Sequence, residues 1–179
     1  MKATEAKAYI LKAKKRIDVI QEELRSISDY KKAYKKECDS LVYKIKSIGT
    51  ENYIRLHKEL EDKYNEYDNN AIRENILKVE LKNIQNMMIN AAAVCLLDEL
   101  SKQPEKAINK PIHYNVFKEA FDNAKKKAWS EFEWIKCENW KGEEYYNSPF
   151  SSYISKGNYS PDFKVYIDYC GYSVYLSQF

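Results

Sequence analysis

The chain has 179 residues, of which 44% are hydrophobic and 32% are charged, and its formal net charge is +3. This hydrophobic content is enough for a packed core and excludes disorder throughout the chain. The small net charge excludes the strong basic excess of a general nucleic-acid-binding protein.

The first predicted element is a long helix that runs from about Ala3 to Ile48 without a proline or a glycine. Its apolar residues recur every three or four positions, which is the pattern of a coiled-coil seam or of two long packed helices. Lys31 occupies the one gap in this seam, where a charge is costly. Lys31 therefore marks the point where the seam opens, or it fixes the register of the seam. The seam residues are Ile10, Ala13, Ile17, Ile20, Leu24, Ile27, Tyr34, Cys38, Leu41, Ile45 and Ile48.

A second helix of nearly equal length is predicted from Thr50 to about Ser101, where a nearby proline ends it. Gly49 and Thr50 make a short link whose residue types suit a helix C-cap and a helix N-cap. Residues 1–48 hold 13 Lys or Arg against 7 Asp or Glu, whereas residues 49–103 hold 7 against 10. Equal lengths, a tight link and opposite charge predict a long antiparallel helical hairpin.

Two features inside the second helix predict departures from a regular pattern. The polar stretch Asp68-Asn69-Asn70 interrupts the apolar repeat, which then resumes on a shifted face and so predicts a local bend, a stutter or a short break. The run from Met87 to Leu97 is apolar nearly all round. We therefore expect the C-terminal part of the chain to surround it.

The C-terminal part is predicted to begin with a third helix. This helix starts between Ile112 and Asn115 and fades into the segment from Cys137 to Gly142. Three tryptophans lie within twelve residues here and mark the expected centre of the C-terminal core, namely Trp129, Trp134 and Trp140.

A small antiparallel sheet is predicted after the third helix. Residues 163–169 alternate as a strand does, with Phe163, Val165, Ile167 and Tyr169 on one face. Residues 172–178 return as a second strand. An isolated two-stranded hairpin is only marginally stable in water. We therefore expect the third helix, or an added strand within residues 145–154, to pack or pair with it.

The predicted fold class is therefore α+β, mainly α, with a long antiparallel helical hairpin followed by a third helix and a small C-terminal antiparallel β-sheet. We expect two domains, a coiled-coil-like hairpin over residues 1–103 and an α/β head with a Trp/Tyr-rich core over residues 104–179. No apolar run is long enough to be a signal peptide or to cross a membrane. We expect a cytoplasmic protein with no membrane partner.

No sequence pattern indicates catalysis or a cofactor. The four cysteines stand far apart without a metal-ligand or redox spacing, and the two histidines, His57 and His113, lie in no nucleophile or metal motif. Residues 104–179 contain no arginine, which counts against tyrosine-dependent phosphoryl transfer. We therefore expect a protein that is not an enzyme, with no catalytic residue, cofactor or metal site.

Two groups of residues are candidate interaction surfaces. The first helix carries clusters of basic residues that could follow a phosphate backbone, although interspersed acids and the excess of lysine over arginine weigh against base reading. The C-terminal tyrosines are typical of a protein interface, and stacking on bases is the alternative. The candidates are Lys12, Lys15, Arg16, Lys32, Lys35 and Lys36 on the helix, and Tyr153, Tyr159, Tyr166, Tyr172 and Tyr175 in the tail.

One short resemblance is present at the start of the chain. The segments Ala6-Lys7-Ala8-Tyr9-Ile10, Ile17-Asp18 and Glu22-Glu23-Leu24-Arg25-Ser26-Ile27 resemble the opening helix of small phage-encoded regulators found in prophages of low-GC Gram-positive bacteria. In that family a sigma-factor-like helix-turn-helix follows, and this chain has a Trp/Tyr-rich tail in its place. The resemblance implies a phage or prophage origin and does not imply the DNA-reading function.

The sequence hypothesis is thus a non-catalytic binding protein, encoded by a phage or mobile element, that occupies a host protein or ribonucleoprotein. By analogy of class with anti-CRISPR proteins, its most concrete form is an inhibitor of a bacterial defence nuclease. The alternative is a DNA- or RNA-binding regulator that uses the basic face of the first helix. A homodimer through the helical seam is also left open.

Overall fold

The computed structural model describes residues 1–47, 50–105, 114–156, 163–169 and 172–176. Within these ranges, two long helices come first and are followed by a shorter third helix, a 3₁₀ turn and five strands. The helices are α1 (Ala3–Ser47), α2 (Thr50–Ser101) and α3 (Tyr114–Trp129), and the 3₁₀ turn is Ser130–Phe132. The strands are β1 (Ile135–Glu138), β2 (Glu144–Asn147), β3 (Phe150–Lys156), β4 (Phe163–Tyr169) and β5 (Tyr172–Leu176). The predicted fold class, mainly helical α+β, is confirmed.

The chain divides into two compact units. One unit combines Met1–Lys14 with Ile84–Phe179, and the other is Lys15–Asn83. We call the first the head unit and the second the hairpin unit. The division into domains 1–103 and 104–179, as parts that fold on their own, stays a prediction.

The hairpin unit is an antiparallel pair formed by the middle of α1 and the first part of α2. Four ion pairs join the two helices. The first and last of them, Arg16–Glu80 and Glu37–Lys63, show the antiparallel direction, and Glu23–Arg73 and Lys31–Glu74 lie between them. Between the helices, Ile17, Ile20, Ile27 and Leu77 are buried. A further cluster of Cys38, Leu41, Leu56 and Leu60 closes the seam near the link between the helices. The seam predicted from the spacing of apolar residues is thus present over the described residues. Its last member, Ile48, and Gly49 of the predicted link lie outside them.

Helix α2 is continuous where the polar stretch Asp68-Asn69-Asn70 interrupts the pattern. The Asn70 side chain donates a hydrogen bond to the Glu66 carbonyl, 3.1 Å away, and so stays within the helix. Of the three predicted alternatives, the short break is therefore wrong.

Lys31 lies in the seam as a half-buried cation. Its ammonium group donates to the Glu74 carboxylate, and its Nζ lies 5.6 Å from the centre of the Tyr67 ring. Lys78 also pairs with Glu74, at 2.5 Å. Hydrogen bonds from the two lysines lower the pKa of Glu74 from 4.5 to about 2. A charged layer therefore interrupts the apolar seam at this point.

The head unit has an apolar and aromatic core. The start of α1 contributes Ala6, Ile10 and Ala13, and the end of α2 contributes a buried run that includes Met88, Ile89 and Leu96. Met87 and Leu97 are 55% and 40% exposed, so this run is enclosed on more than one side but not on all sides. The apolar residues at helical spacing in this segment predict one buried stripe. Five of them are buried, namely Phe117, Phe121, Ala124, Ala128 and Phe132, the last just beyond the end of α3. The prediction is wrong for the sixth, Ile135, which is 40% exposed and lies in β1.

The segment after α3 departs from the prediction. The helix ends at Trp129, and residues 135–138 form β1 instead of a fading helix. Strand β1 pairs with β2 in an antiparallel hairpin that opposes Cys137 to Tyr145, and this cross-strand partner overrides the local helical pattern. Gly142 supports the turn with a φ of 80°. Trp129 is buried, but Trp140 is 89% exposed and lies outside the core.

Candidate functional site

The three-stranded sheet has the order β3-β4-β5, with both neighbouring pairs antiparallel. Successive side chains of a strand point to opposite faces of a sheet. In β4, Val165, Ile167 and Tyr169 are buried, whereas Tyr166 and Asp168 between them are half-buried. One face of this sheet is therefore part of the core, and the other is open to solvent.

On the open face, one tyrosine from each strand stands in the same row. Tyr153 of β3 is opposite Tyr166 of β4, which is opposite Tyr175 of β5. The Tyr153 and Tyr166 rings stack with centres 4.8 Å apart and planes 12° apart, and the Tyr166 and Tyr175 rings lie 5.4 Å apart at 42°. Tyr153 and Tyr175 remain 50% and 46% exposed. We call these three residues the tyrosine face.

A row of short polar residues lies next to the tyrosines. Ser151, Asp168 and Ser173 are opposite one another across the same three strands. The Ser173 hydroxyl donates a hydrogen bond to the Asp168 carboxylate. This row was not singled out in the sequence, although each member stands two residues from a tyrosine of the same strand and could have been found by strand register. It gives the face hydrogen-bonding groups beside its aromatic rings.

One other candidate, Tyr172, does not belong to this row. Tyr172 pairs in register with Tyr169, whose ring is buried on the opposite face of the sheet. Tyr159 lies outside the described residues. The structure thus brings together three of the five predicted tyrosines.

Some of the candidate basic residues of α1 are engaged with acids. Arg16 makes two hydrogen bonds with Glu80, of 2.6 and 2.8 Å, and these bonds raise the pKa of Arg16. Lys32 pairs with Asp29 at 2.9 Å. These two cations are therefore already compensated within the hairpin unit.

The remaining basic candidates are exposed on α1. They are Lys12, Lys15, Lys35 and Lys36. None of the four forms an ion pair with another described residue. Arg16 comes one residue before the seam position Ile17, whereas Lys35 comes one residue after the seam position Tyr34. Residues that directly precede and directly follow seam positions lie on opposite flanks of a helix. The six candidates consequently do not form one continuous stripe.

The histidines and cysteines show no assembled reactive group within the described ranges. His57 lies beside Tyr53, with ring centres 4.3 Å apart, in an open groove of α2, and His113 lies outside the described residues. Cys38 and Cys95 are buried, and burial raises the pKa of the Cys95 thiol to about 11, so this thiol stays protonated at neutral pH. Across those ranges no three His, Cys, Asp or Glu side chains are grouped to hold a metal ion.

None of the described helices is both long enough and apolar enough to span a membrane. Comparison with known proteins gives no relative: no family model matches the chain, no curated protein matches it, and no solved structure matches it. The functional argument therefore depends on the surfaces of the molecule itself.

Proposed function

We propose that this chain is a non-catalytic binding protein and that the tyrosine face of its three-stranded sheet is the contact surface for another protein. The observation that supports this function is the row Tyr153, Tyr166 and Tyr175, in which mutually packed rings stay half-exposed. Tyrosine supplies large contact area at a small cost in conformational entropy. Rings that are already held by their neighbours lose even less freedom on binding.

The same geometry favours a protein partner over a nucleic acid. A base would have to stack on an open ring face, but the central ring of Tyr166 is covered by Tyr153 on one side and Tyr175 on the other. The Asp168 carboxylate lies on this face and repels phosphate. Hydroxyl and carboxylate groups beside aromatic rings suit the polar and aromatic mixture of a protein interface.

The narrowest form of this proposal is that the partner is a host protein or ribonucleoprotein, such as a CRISPR-type defence nuclease, and that the chain comes from a phage or mobile element. Two points support this form: the first helix resembles in part that of small phage-encoded regulators, and the chain is analogous in class to anti-CRISPR proteins. An inhibitor of this kind acts by occupying its target, so it needs a contact surface and no reaction chemistry.

Tagged protein incubated with lysates of low-GC Gram-positive bacteria, followed by quantitative mass spectrometry, tests the proposal. The wild-type chain is compared with the double variant Tyr153→Ser/Tyr175→Ser and with the control Tyr43→Ser, because Tyr43 is a 75% exposed tyrosine on α1. We expect specific proteins to be retained by the wild type and the control and to be lost with the double variant. Equal retention by all three chains would overturn the tyrosine face as the contact surface.

A cleavage assay tests the narrowest form. Purified CRISPR-type nucleases are incubated with their guide and target DNA in the presence of each of the three chains. The proposal predicts that the wild type and Tyr43→Ser protect the DNA and that the double variant does not. If no captured partner is a nuclease and cleavage is unaffected, the nuclease form is wrong, while the binding function is judged by the capture experiment.

The competing proposal is a DNA- or RNA-binding regulator, and the observation that favours it is the exposure of Lys12, Lys15, Lys35 and Lys36. Binding of duplex DNA and of RNA is measured as the salt concentration is varied. A contact that neutralises several phosphates has a steep salt dependence, which should disappear when these four lysines are changed together to glutamate. The tyrosine-face proposal instead predicts weak binding with a shallow salt dependence in the wild type.

A further inference from the structure

An unpartnered apolar stripe runs along α2 in the hairpin unit. Ile72, Ile76 and Val79 are 59%, 53% and 61% exposed, and their spacings of four and three residues place them on one face of the helix. Leu77, which is fully buried, belongs to the separate face that packs against α1. Three exposed β-branched residues at helical spacing are therefore not explained by the packing of the hairpin itself.

The sequence of this stripe is nearly symmetric about its centre. Ile72 and Val79 flank Ile76 on its two sides, and Asn69 and Asn83 stand seven residues before it and seven residues after it. A surface of this kind is complementary to itself when a second copy is turned through a two-fold rotation, because the apolar residues then meet apolar residues and the asparagines bound both ends.

The charges beside the stripe follow nearly the same symmetry, about a centre one residue before Ile76. On the flank away from α1, Asp68 and Lys82 lie two heptads apart, so they share one side of the stripe, and Asn75 stands midway between them. Both residues are exposed, and neither has an ion pair with another described residue. An antiparallel copy would place each Asp68 beside the Lys82 of the other chain.

The opposite flank of the stripe is already used within the chain. Arg73 pairs with Glu23, and Glu80 pairs with Arg16. Glu23 and Arg16 both belong to α1. Among the described charges that flank the stripe, Asp68 and Lys82 are thus the two without an ion pair, and both lie on the flank away from α1. One side of α2 is therefore open to solvent, and it is complementary to itself both in the spacing of its apolar residues and in the placement of its charges.

We infer that a second copy of this chain covers the stripe of Ile72, Ile76 and Val79, with the two α2 helices antiparallel. Three apolar side chains make a small contact, so the dimer is transient, in the size class of weak interfaces. This inference is independent of the proposed function. Each dimer would carry two tyrosine faces and would therefore bind a repeated or dimeric target with greater avidity.

Sedimentation equilibrium over a wide range of protein concentration tests the dimer. We expect the average mass to rise from that of a monomer toward that of a dimer, and Ile76→Asp to weaken the association at least tenfold. The matched control is Val19→Asp, because Val19 is a 53% exposed β-branched residue on α1. Ile76 points to solvent, so its variant should retain the circular dichroism of the wild type. A monomer at all concentrations, or association that Ile76→Asp does not weaken, would overturn the inference.

Charge reversal tests the pairing across the two chains. Asp68→Lys should weaken the dimer because it places lysines beside lysines, and the double variant Asp68→Lys/Lys82→Asp should restore the association. Failure of the second change to restore it would contradict the antiparallel arrangement.

Cross-linking with a short bismaleimide tests the same arrangement by distance, in a Cys137→Ser/Cys170→Ser background. The variants Asn69→Cys and Asn83→Cys should cross-link when they are mixed and not when each is alone. In an antiparallel pair centred on Ile76, two copies of position 69 are about 21 Å apart along the helix axis, at 1.5 Å per residue. Cross-links within each single variant, without a mixed product, would show a parallel pair and overturn the inference.

Discussion

The two faces of the three-stranded sheet are built from alternate residues of the same strands, yet they differ in burial. On the inner face, Val165 and Ile167 are fully buried. On the outer face, Tyr153 and Tyr175 are about half-exposed, at 50% and 46%, and contact the Tyr166 ring between them. Tyr169 shows that residue type does not decide the role, because it is a tyrosine that is 5% exposed on the inner face. The position within the strand decides which residues are buried and which are exposed.

The largest expected effect is on the inner face. Ile167→Ala removes a fully buried side chain and leaves a cavity, so we expect the free energy of unfolding to fall by about 2–5 kcal/mol. Denaturant unfolding followed by circular dichroism measures the loss. A change near zero would mean that this face of the sheet does not pack as described.

The neighbouring residue on the outer face should give a smaller effect on stability. Tyr166→Ser removes two cross-strand ring contacts, each worth about 0.2–1 kcal/mol, so we expect a loss of about 1 kcal/mol in the same unfolding experiment. Because the two substituted positions are adjacent in β4, the comparison isolates the effect of the face. A loss as large as that of Ile167→Ala would show that the outer face is also part of a core.

The sequence predicted which residues of β4 share a face of the sheet, but it did not predict which residues are opposite one another across the strands. The alternation of residues 163–169 was enough to assign Val165, Ile167 and Tyr169 to one face, because period two is a local property of a strand. The row that joins Tyr153 to Tyr166 and Tyr175 depends on register between strands, and register follows from pairing and turn geometry that a list of tyrosines does not contain.

The helices show the same limit. The seam of α1 followed from spacing alone, whereas the engagement of Arg16 by Glu80 required knowledge of which residues meet across the hairpin. Strand β1 was predicted as the fading end of a helix because its partner, β2, is not visible in its own residues.

The smallest expected effect lies in the hairpin unit and depends on pH. The pKa of Glu74 is lowered from 4.5 to about 2, so its ionised form stabilises the fold above pH 4.5, and this contribution is lost as the pH falls toward 2. Glu74→Gln should therefore be less stable than the wild type at neutral pH, and the difference should shrink as the pH is lowered through this range.

Thermal unfolding at several pH values measures this difference, and Glu59→Gln, an exposed glutamate on the same helix, is the control. The control should show little difference from the wild type at any pH. If the difference in stability between Glu74→Gln and the wild type is the same at every pH, the ionised carboxylate of Glu74 does not stabilise the hairpin. Neither variant should alter binding through the tyrosine face.

The most direct test of the binding account is the affinity of a purified captured partner for three chains, namely the wild type, Tyr153→Ser/Tyr175→Ser and Tyr43→Ser. We predict that the double variant binds at least tenfold more weakly, a loss of about 1.4 kcal/mol or more, while it unfolds at nearly the same denaturant concentration as the wild type. Tyr43→Ser should bind as the wild type does. Unchanged affinity in the double variant would contradict the account.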